Sequence, residues 1–252
     1  MITDPFFYLC AVPAVFLVGL SKGGFGGTIA VIGVPLMAFA VDPVTAAGIL
    51  LPIMVVMDLI GLVAWRGQFD RGVIVSMLPA AVLGIFVGYA AAELVSEDGI
   101  RLILGLLALW FVADWVFKSR HVTEPKPRNG LKAKLWGAAS GFASFVSHSG
   151  GPPYQVYVLP LKLAPATFAG TAVVFFAVVN AVKLVPYFLL GQFSPGNLET
   201  SAVLLPLAPL ATLTGIWLVR RIDTAVFYKL VYAFLVPVGL KLVFDGASGL
   251  LS

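Results

Sequence analysis

Charge is what this chain has least of. Only 11% of its 252 residues are Asp, Glu, Lys or Arg, where a soluble domain carries about 25%. With 60% of the residues hydrophobic and a mean hydropathy of +1.01, a water-facing surface cannot be covered. Cys10 is the single cysteine, which excludes an intramolecular disulfide. Alternation of apolar and polar residues is missing from the long apolar runs, which excludes a transmembrane β-barrel. A phosphate-binding loop of the GxxxxGK[ST] type is also missing, so nothing supports ATP drive within the chain. The N-terminus, "MITDPFFYLC", lacks the basic segment of a signal peptide and is expected to stay in the mature protein.

What is present is a series of charge-free runs. Residues 72–92, 163–182 and 200–219 hold no charge, and each approaches the 20 residues that cross about 30 Å of hydrocarbon as a helix. The expected fold is all-α, a polytopic helical membrane protein with spans near 44–65, 72–92, 99–117, 166–189, 198–219 and 225–245. The formal net charge of +4 does not point to nucleic acid, because the basic residues cluster in connections. The stretch "KSRHVTEPKPRNGLKAK", 118–134, is the most basic and is expected in the cytoplasm. On the same rule 65–71, Lys162, Arg220 and Arg221 lie inside, and 93–98 and 191–197 outside.

The halves of the chain echo one another. "VDPVTAAG" at 41–48 is matched by "LAPATFAG" at 163–170, Asp58 by Asn180, and "GQF" at 67–69 by "GQF" at 191–193. The basic clusters give equivalent positions opposite sides of the membrane. The reading is two inverted-topology repeats, 1–117 and 135–252, joined by a cytoplasmic linker at 118–134. Each repeat has three full spans behind a broken or re-entrant leading segment, a recurring transporter design.

The leading segments, 5–40 and 133–161, carry the chemistry. The first is interrupted by "SKGGFGG", with Lys22, Gly23, Gly24 and Gly26. The second is interrupted by "SHSGGPP", with Ser147, His148, Ser149, Gly150, Gly151, Pro152 and Pro153. A helix is expected to restart near Gly27 or Thr28 in one and at Pro152 or Pro153 in the other. Helix starts present free N–H groups and a positive dipole end, and glycine permits close approach. With Lys22, hydroxyls and an imidazole, the two tips would make an oxyanion site near the midplane. The alternative is a snorkelling lysine among packing glycines.

Asp58 and Asn180 lie inside spans, where a carboxylate costs roughly 2.5–3.5 kcal/mol to insert. Asp58 reads as a coupling proton carrier, as a partner for Lys22, or as one end of a helix-to-helix hydrogen bond. Lys183, three residues after Asn180, either adds charge to the site or pairs with Asp114. His121 is expected to be solvated, and Trp65, Trp110, Trp115 and Trp217 to form interfacial belts.

"GLSKGGFGG", "VPLMAFAVDPVTAAGILLPIMVVMDL", "WRGQFDRG", "SGFASFVSHSGGPPYQVYVLP" and "FAGTAVVFFAVVNAVKL" together resemble the TauE/SafE sulfite exporter family over roughly residues 10–245. The resemblance implies a carrier in the bacterial inner membrane for sulfite or an organosulfonate. It places Lys22, Gly23, Gly24, Gly26 and Gly150–Gly151–Pro152–Pro153 in the core. The expected partners are a small anion and the lipid bilayer, with no cofactor, metal or nucleic acid. Assembly into a homo-oligomer stays open. An anion channel is the first alternative. An intramembrane hydrolase built on Ser147 or Ser149 with His148 is the second.

Overall fold

A computed structural model describes residues 1–91, 96–117 and 125–251, without the side chains of Glu97 and Asp114. Lys118, Arg120 and His121, the start of the 93–98 connection, and the Lys183–Asp114 pairing lie outside the described residues. The fold is all-helical, with 82% of the chain in helix and no strands among the described residues.

The helices are α1 (Pro5–Lys22), α2 (Gly33–Met37), α3 (Pro43–Ala64), α4 (Arg71–Ala90), α5 (Glu97–Phe117), α6 (Gly130–Ser147), α7 (Gly151–Val158), α8 (Pro165–Leu189), α9 (Pro195–Leu204), α10 (Leu207–Arg221) and α11 (Thr224–Leu251). Their starts are written locally. Asp4, Asp42 and Ser194 each precede a proline at the first helical position, and each side chain accepts a backbone N–H of the first turn. Asn129 caps α6 in the same way, accepting from Lys132 N–H at 3.0 Å.

Six helices are long and apolar enough to cross a membrane: α1, α3, α4, α5, α8 and α11. The pair α9–α10, bent by 49°, adds a seventh if it counts as one span. Large apolar side chains such as Val63, Val75 and Phe117 remain exposed. An apolar surface of that extent suits hydrocarbon rather than water.

The chain divides into two compact units, and each draws on both sequence halves. Unit 1 comprises Met1–Asp70 and Pro165–Arg221; unit 2 comprises Arg71–Ala164 and Ile222–Ser252. In unit 1, α1 packs on α10 and α3 on α8; in unit 2, α4 packs on α6 and α5 on α11. The helix order after α5 restates the order before it: a broken leading pair, then α8, α9–α10 and α11. Exchanging the halves turns α1–α10 into α6–α4 and leaves α3–α8 and α5–α11 unchanged, so the pairing scheme is its own image.

Glycine sets the closest of these approaches. A methyl placed on Gly23 would sit 2.7 Å from Gly215 Cα and 2.8 Å from Ile216 N, on α10. Gly19 and Gly23 thus form a small-residue seam of the kind that lets membrane helices touch backbone to backbone. Both leading segments turn back on themselves. Ser21 Oγ accepts Ile29 N–H at 3.1 Å, and the Cα face of Gly33 packs on Val18 of α1. In unit 2, Lys126 N–H donates to Pro160 O at 2.9 Å, so the chain enters through α6 and comes back through α7 to the end it started from.

Candidate functional site

The polar cluster of unit 1 is built by α1, α3 and α8. Lys22, the last residue of α1, donates from Nζ to Asp58 Oδ1 at 2.5 Å. Asn180 Nδ2 donates to the other carboxylate oxygen, Oδ2, at 2.7 Å. Lys22, Asp58 and Asn180 are buried, and Lys183 is fully so at 0% exposure. Lys183 lies within electrostatic reach of both Lys22 and Asp58. The cluster therefore gathers two lysines, one carboxylate and one amide. A buried charge is tolerated only when paired and hydrogen-bonded, a condition Asp58 meets through Lys22 and Asn180.

Helical spacing on α8 explains the arrangement. Phe176, Asn180, Lys183 and Tyr187 follow one another at steps of four, three and four, which is one face of a helix. Lys22 Nζ lies 5.7 Å from the centre of the Phe176 ring, and Lys183 Nζ 5.8 Å from that of Tyr187. Both are cation–π distances. Asn180 and Lys183 were legible as polar residues in an apolar run. Phe176 was missed, although its spacing of four from Asn180 was the available signal.

The break after α1 is tightly bonded. Gly23 N–H donates to Gly19 O at 2.8 Å, and Gly24 N–H and Phe25 N–H donate to Ser21 O at 3.3 and 2.9 Å. Thr28 Oγ1 donates to Phe25 O at 3.0 Å. Non-helical backbone at membrane depth requires this internal satisfaction. The amides of Gly23 and Gly24 are thus engaged within the turn, and both residues serve close packing, Gly24 against Val219 and Ala169. Gly26 and Gly27 differ: they hold φ values of 68° and 75°, the left-handed region that favours glycine.

These two glycines, with Ser21, Lys22, Ala172 and Phe176, line a cleft of about 10 Å³, roughly the room for one water. The Phe176 ring forms one wall of it, standing 3.2 Å from where a Gly27 side chain would begin. Trp65 is buried rather than belt-like: its Nε1 donates to Gly23 O at 2.9 Å, with the Arg220 guanidinium 5.2 Å from the ring centre. Trp110 and Trp217 are exposed, as an interfacial belt requires, whereas Trp115 stacks on Tyr232 at 4.3 Å.

In unit 2 the break at Ser147, His148, Ser149 and Gly150 is buried throughout. His148 caps α6 in the left-handed conformation, φ 52°. Ser140 Oγ ties the far side of the turn by donating to Gly150 O at 2.7 Å. That serine was not singled out from the sequence, where it is one small residue in "GAASGFAS". Helix α7 starts at Gly151, one residue before the expected Pro152. Pro152 and Pro153 have no N–H, Tyr154 N–H donates to Gly150 O, and Ser149 N–H donates to Ala143 O. The start of α7 therefore offers an anion at most the amides of Gly150 and Gly151. Ser147 Oγ and Ser149 Oγ donate to the backbone carbonyls of Ala143 and Ser147, at 3.5 and 3.1 Å. Neither hydroxyl gives its proton to His148, so a Ser–His nucleophile is not assembled.

An apolar multi-span helical protein with an ion-paired polar cluster inside its spans has the build of a membrane transporter. Residues 11–242 match the family described as Sulfite exporter TauE/SafE, and the chain belongs to that family. It is a multi-pass membrane transporter and not an enzyme, and the bacterial inner membrane fits the family. Neither a curated protein nor a solved structure matches the chain.

Proposed function

We propose that this chain exports a small sulfur oxyanion, sulfite or an organosulfonate, and that the cluster of Lys22, Asp58, Asn180 and Lys183 is where the anion binds and where a proton couples to it. The observation that carries the proposal is the 2.5 Å Lys22–Asp58 pair with fully buried Lys183 beside it. While Asp58 is ionised it occupies the Lys22 ammonium. Protonation of Asp58 releases that ammonium to a substrate oxygen, and both lysines then face the anion. Binding of proton and anion is thereby linked at one carboxylate. Asn180 holds Asp58 through either step, since an amide offers both a donor and an acceptor.

Gly26, Gly27 and Phe176 form the approach to Lys22. At about 10 Å³ the cleft is too small for sulfite, which favours a carrier that occludes its site over an open channel. Entry then requires the Phe176 ring to turn away from Gly27. Within unit 2, Ser147, His148, Ser149, Gly150, Gly151 and Pro152 are proposed as a separate anion-contacting set, with the Gly150 and Gly151 amides as donors.

Co-binding of one proton makes movement of a monoanion electroneutral, so the anion and proton gradients set its direction. An anion moving without a proton would instead gain about 2.3 kcal/mol per charge per 100 mV outward from an inside-negative potential. The deciding experiment is flux of labelled sulfite and of an organosulfonate in proteoliposomes, with and without a pH gradient and at clamped potential. Saturable flux of one of them, responding to the pH gradient, is expected. Failure of both anions to move would remove the substrate assignment. Flux that follows potential alone would remove proton coupling at Asp58.

A further inference from the structure

Unit 2 contains a second polar feature, away from its glycine–proline break. A groove of about 500 Å³ runs between α5, α6 and α7, within the range of about 300–1,000 Å³ typical of ligand sites. Its composition is divided. Lys126, Arg128 and Lys132 supply three cations from the stretch that leads into α6, while Trp110, Leu135 and Trp136 supply broad apolar surface.

The cationic end is held in place. Lys126 N–H is bonded to Pro160 O, and Asn129 caps the first turn of α6 through Lys132 N–H. The α6 start adds its own positive dipole end beside the three side chains. The apolar part opens outward: Trp110 is 61% exposed and Leu135 62%. In a chain of membrane-crossing helices, exposed tryptophan and leucine belong against lipid, and tryptophan prefers the headgroup level. Cations at a helix start with apolar surface beside them match one molecule in outline: a phosphate headgroup attached to an acyl chain.

We propose that this groove binds an anionic phospholipid, with the phosphate held by Lys126, Arg128 and Lys132 and the upper acyl chain lying along Trp110, Leu135 and Trp136. Basic pockets between membrane helices recognise anionic headgroups by this combination. A free oxyanion would use the cations but leave the apolar half of the groove idle. A zwitterionic lipid would carry a positive group into a site that already holds three.

The test uses the full-length protein and its own tryptophans. It is reconstituted in phosphatidylcholine vesicles doped with brominated phosphatidylglycerol or, separately, with brominated phosphatidylcholine, since bromine quenches tryptophan on contact. Stronger quenching by the brominated phosphatidylglycerol is expected, and a Trp110→Phe/Trp136→Phe variant should lose that difference. Replacing Lys126, Arg128 and Lys132 by Gln should weaken the anionic lipid roughly a hundredfold, about fivefold per cation. Should the triple variant not fold, Lys126→Gln and Lys132→Gln singly should each show the fivefold loss. Equal quenching by the two lipids overturns the proposal, as does undiminished selectivity in folded Gln variants. Removal of the selective quenching by millimolar inorganic phosphate would also overturn it, reassigning the groove to free anions.

Discussion

Asp58 and Asn180 occupy equivalent positions in the two halves of the sequence, 122 residues apart, and they touch: Asn180 Nδ2 donates to Asp58 Oδ2 at 2.7 Å. Repeat equivalents meet in this way where two copies face each other, here across the α3–α8 pair. At that meeting point one copy carries a carboxylate and the other an amide. The two residues at that meeting point differ in charge, and Lys22 closes on the carboxylate.

Asp58→Asn should abolish flux driven by a pH gradient while anion exchange at equal pH persists. The substitution also leaves Lys22 buried without its counter-charge, a loss of about 3–5 kcal/mol when one partner of a buried pair is removed. The melting temperature in detergent should therefore fall, and Lys22→Met in the same chain should recover most of it without recovering transport. Full proton-driven flux in Asp58→Asn would make the carboxylate a packing element.

Lys22→Ala and Lys183→Ala should each weaken anion binding about ten- to a hundredfold, the worth of a charge-assisted hydrogen bond of about 1.5–3 kcal/mol. Arginine at either position should rescue only partly, because a planar guanidinium needs more room than an ammonium. Titration calorimetry of folded protein with sulfite measures this. An unchanged dissociation constant in both alanine variants would place the anion elsewhere.

Phe176→Ala should open the cleft beside Lys22 and raise the initial rate of uptake into proteoliposomes, while Phe176→Trp should lower it. The residue has no charge to lose, so the direction of the change isolates access from binding. If the two variants transport at the same rate as the parent, the Phe176 ring does not gate the approach.

Gly23→Leu should destabilise the protein by about 1–3 kcal/mol through overpacking against α10, and Gly215→Leu should do the same from the facing helix. Gly26→Ala acts differently: it strains a left-handed turn beside Lys22, and its effect should fall on anion affinity as well as on stability. Thermal melts and binding on the same preparations separate the two. A Gly23→Leu protein as stable as the parent would remove the α1–α10 seam.

We propose that the two halves run in opposite senses across the membrane, which would put 118–134 in the cytoplasm and both termini outside. With Cys10 replaced by Ser, single cysteines at Gly130 and Ser252 should label from opposite faces of the membrane with an impermeant maleimide. Labelling of both from one face would mean that the halves run in the same sense.

The membrane class, five of the six expected spans and the two breaks were readable from the chain alone because each is a property of a contiguous stretch. The expected span 198–219 is instead the bent pair α9–α10, and α1 by itself is long and apolar enough to cross. Hydrophobic run length counts residues in a row, an Asp–Pro or Ser–Pro pair starts a helix where it stands, paired glycines follow the end of α1, and paired prolines sit in the first turn of α7. What the cluster does with its charges was not readable in this way. Lys22 had two candidate environments, an interface or a site, and only the fold brings it to a carboxylate 36 residues away and to an amide on α8. The glycines of "SKGGFGG" look alike in sequence. Tertiary contact separates them: α10 fills the space beside Gly23, while Gly26 and Gly27 turn the backbone through positive φ at the cleft. Trp65 reads as a belt residue by its position at a span end, and becomes an anchor of the break only because α3 brings its Nε1 to Gly23 O. Local pattern decides which solvent a segment prefers. The partner of a buried polar group is decided by whichever helix the packing sets against it.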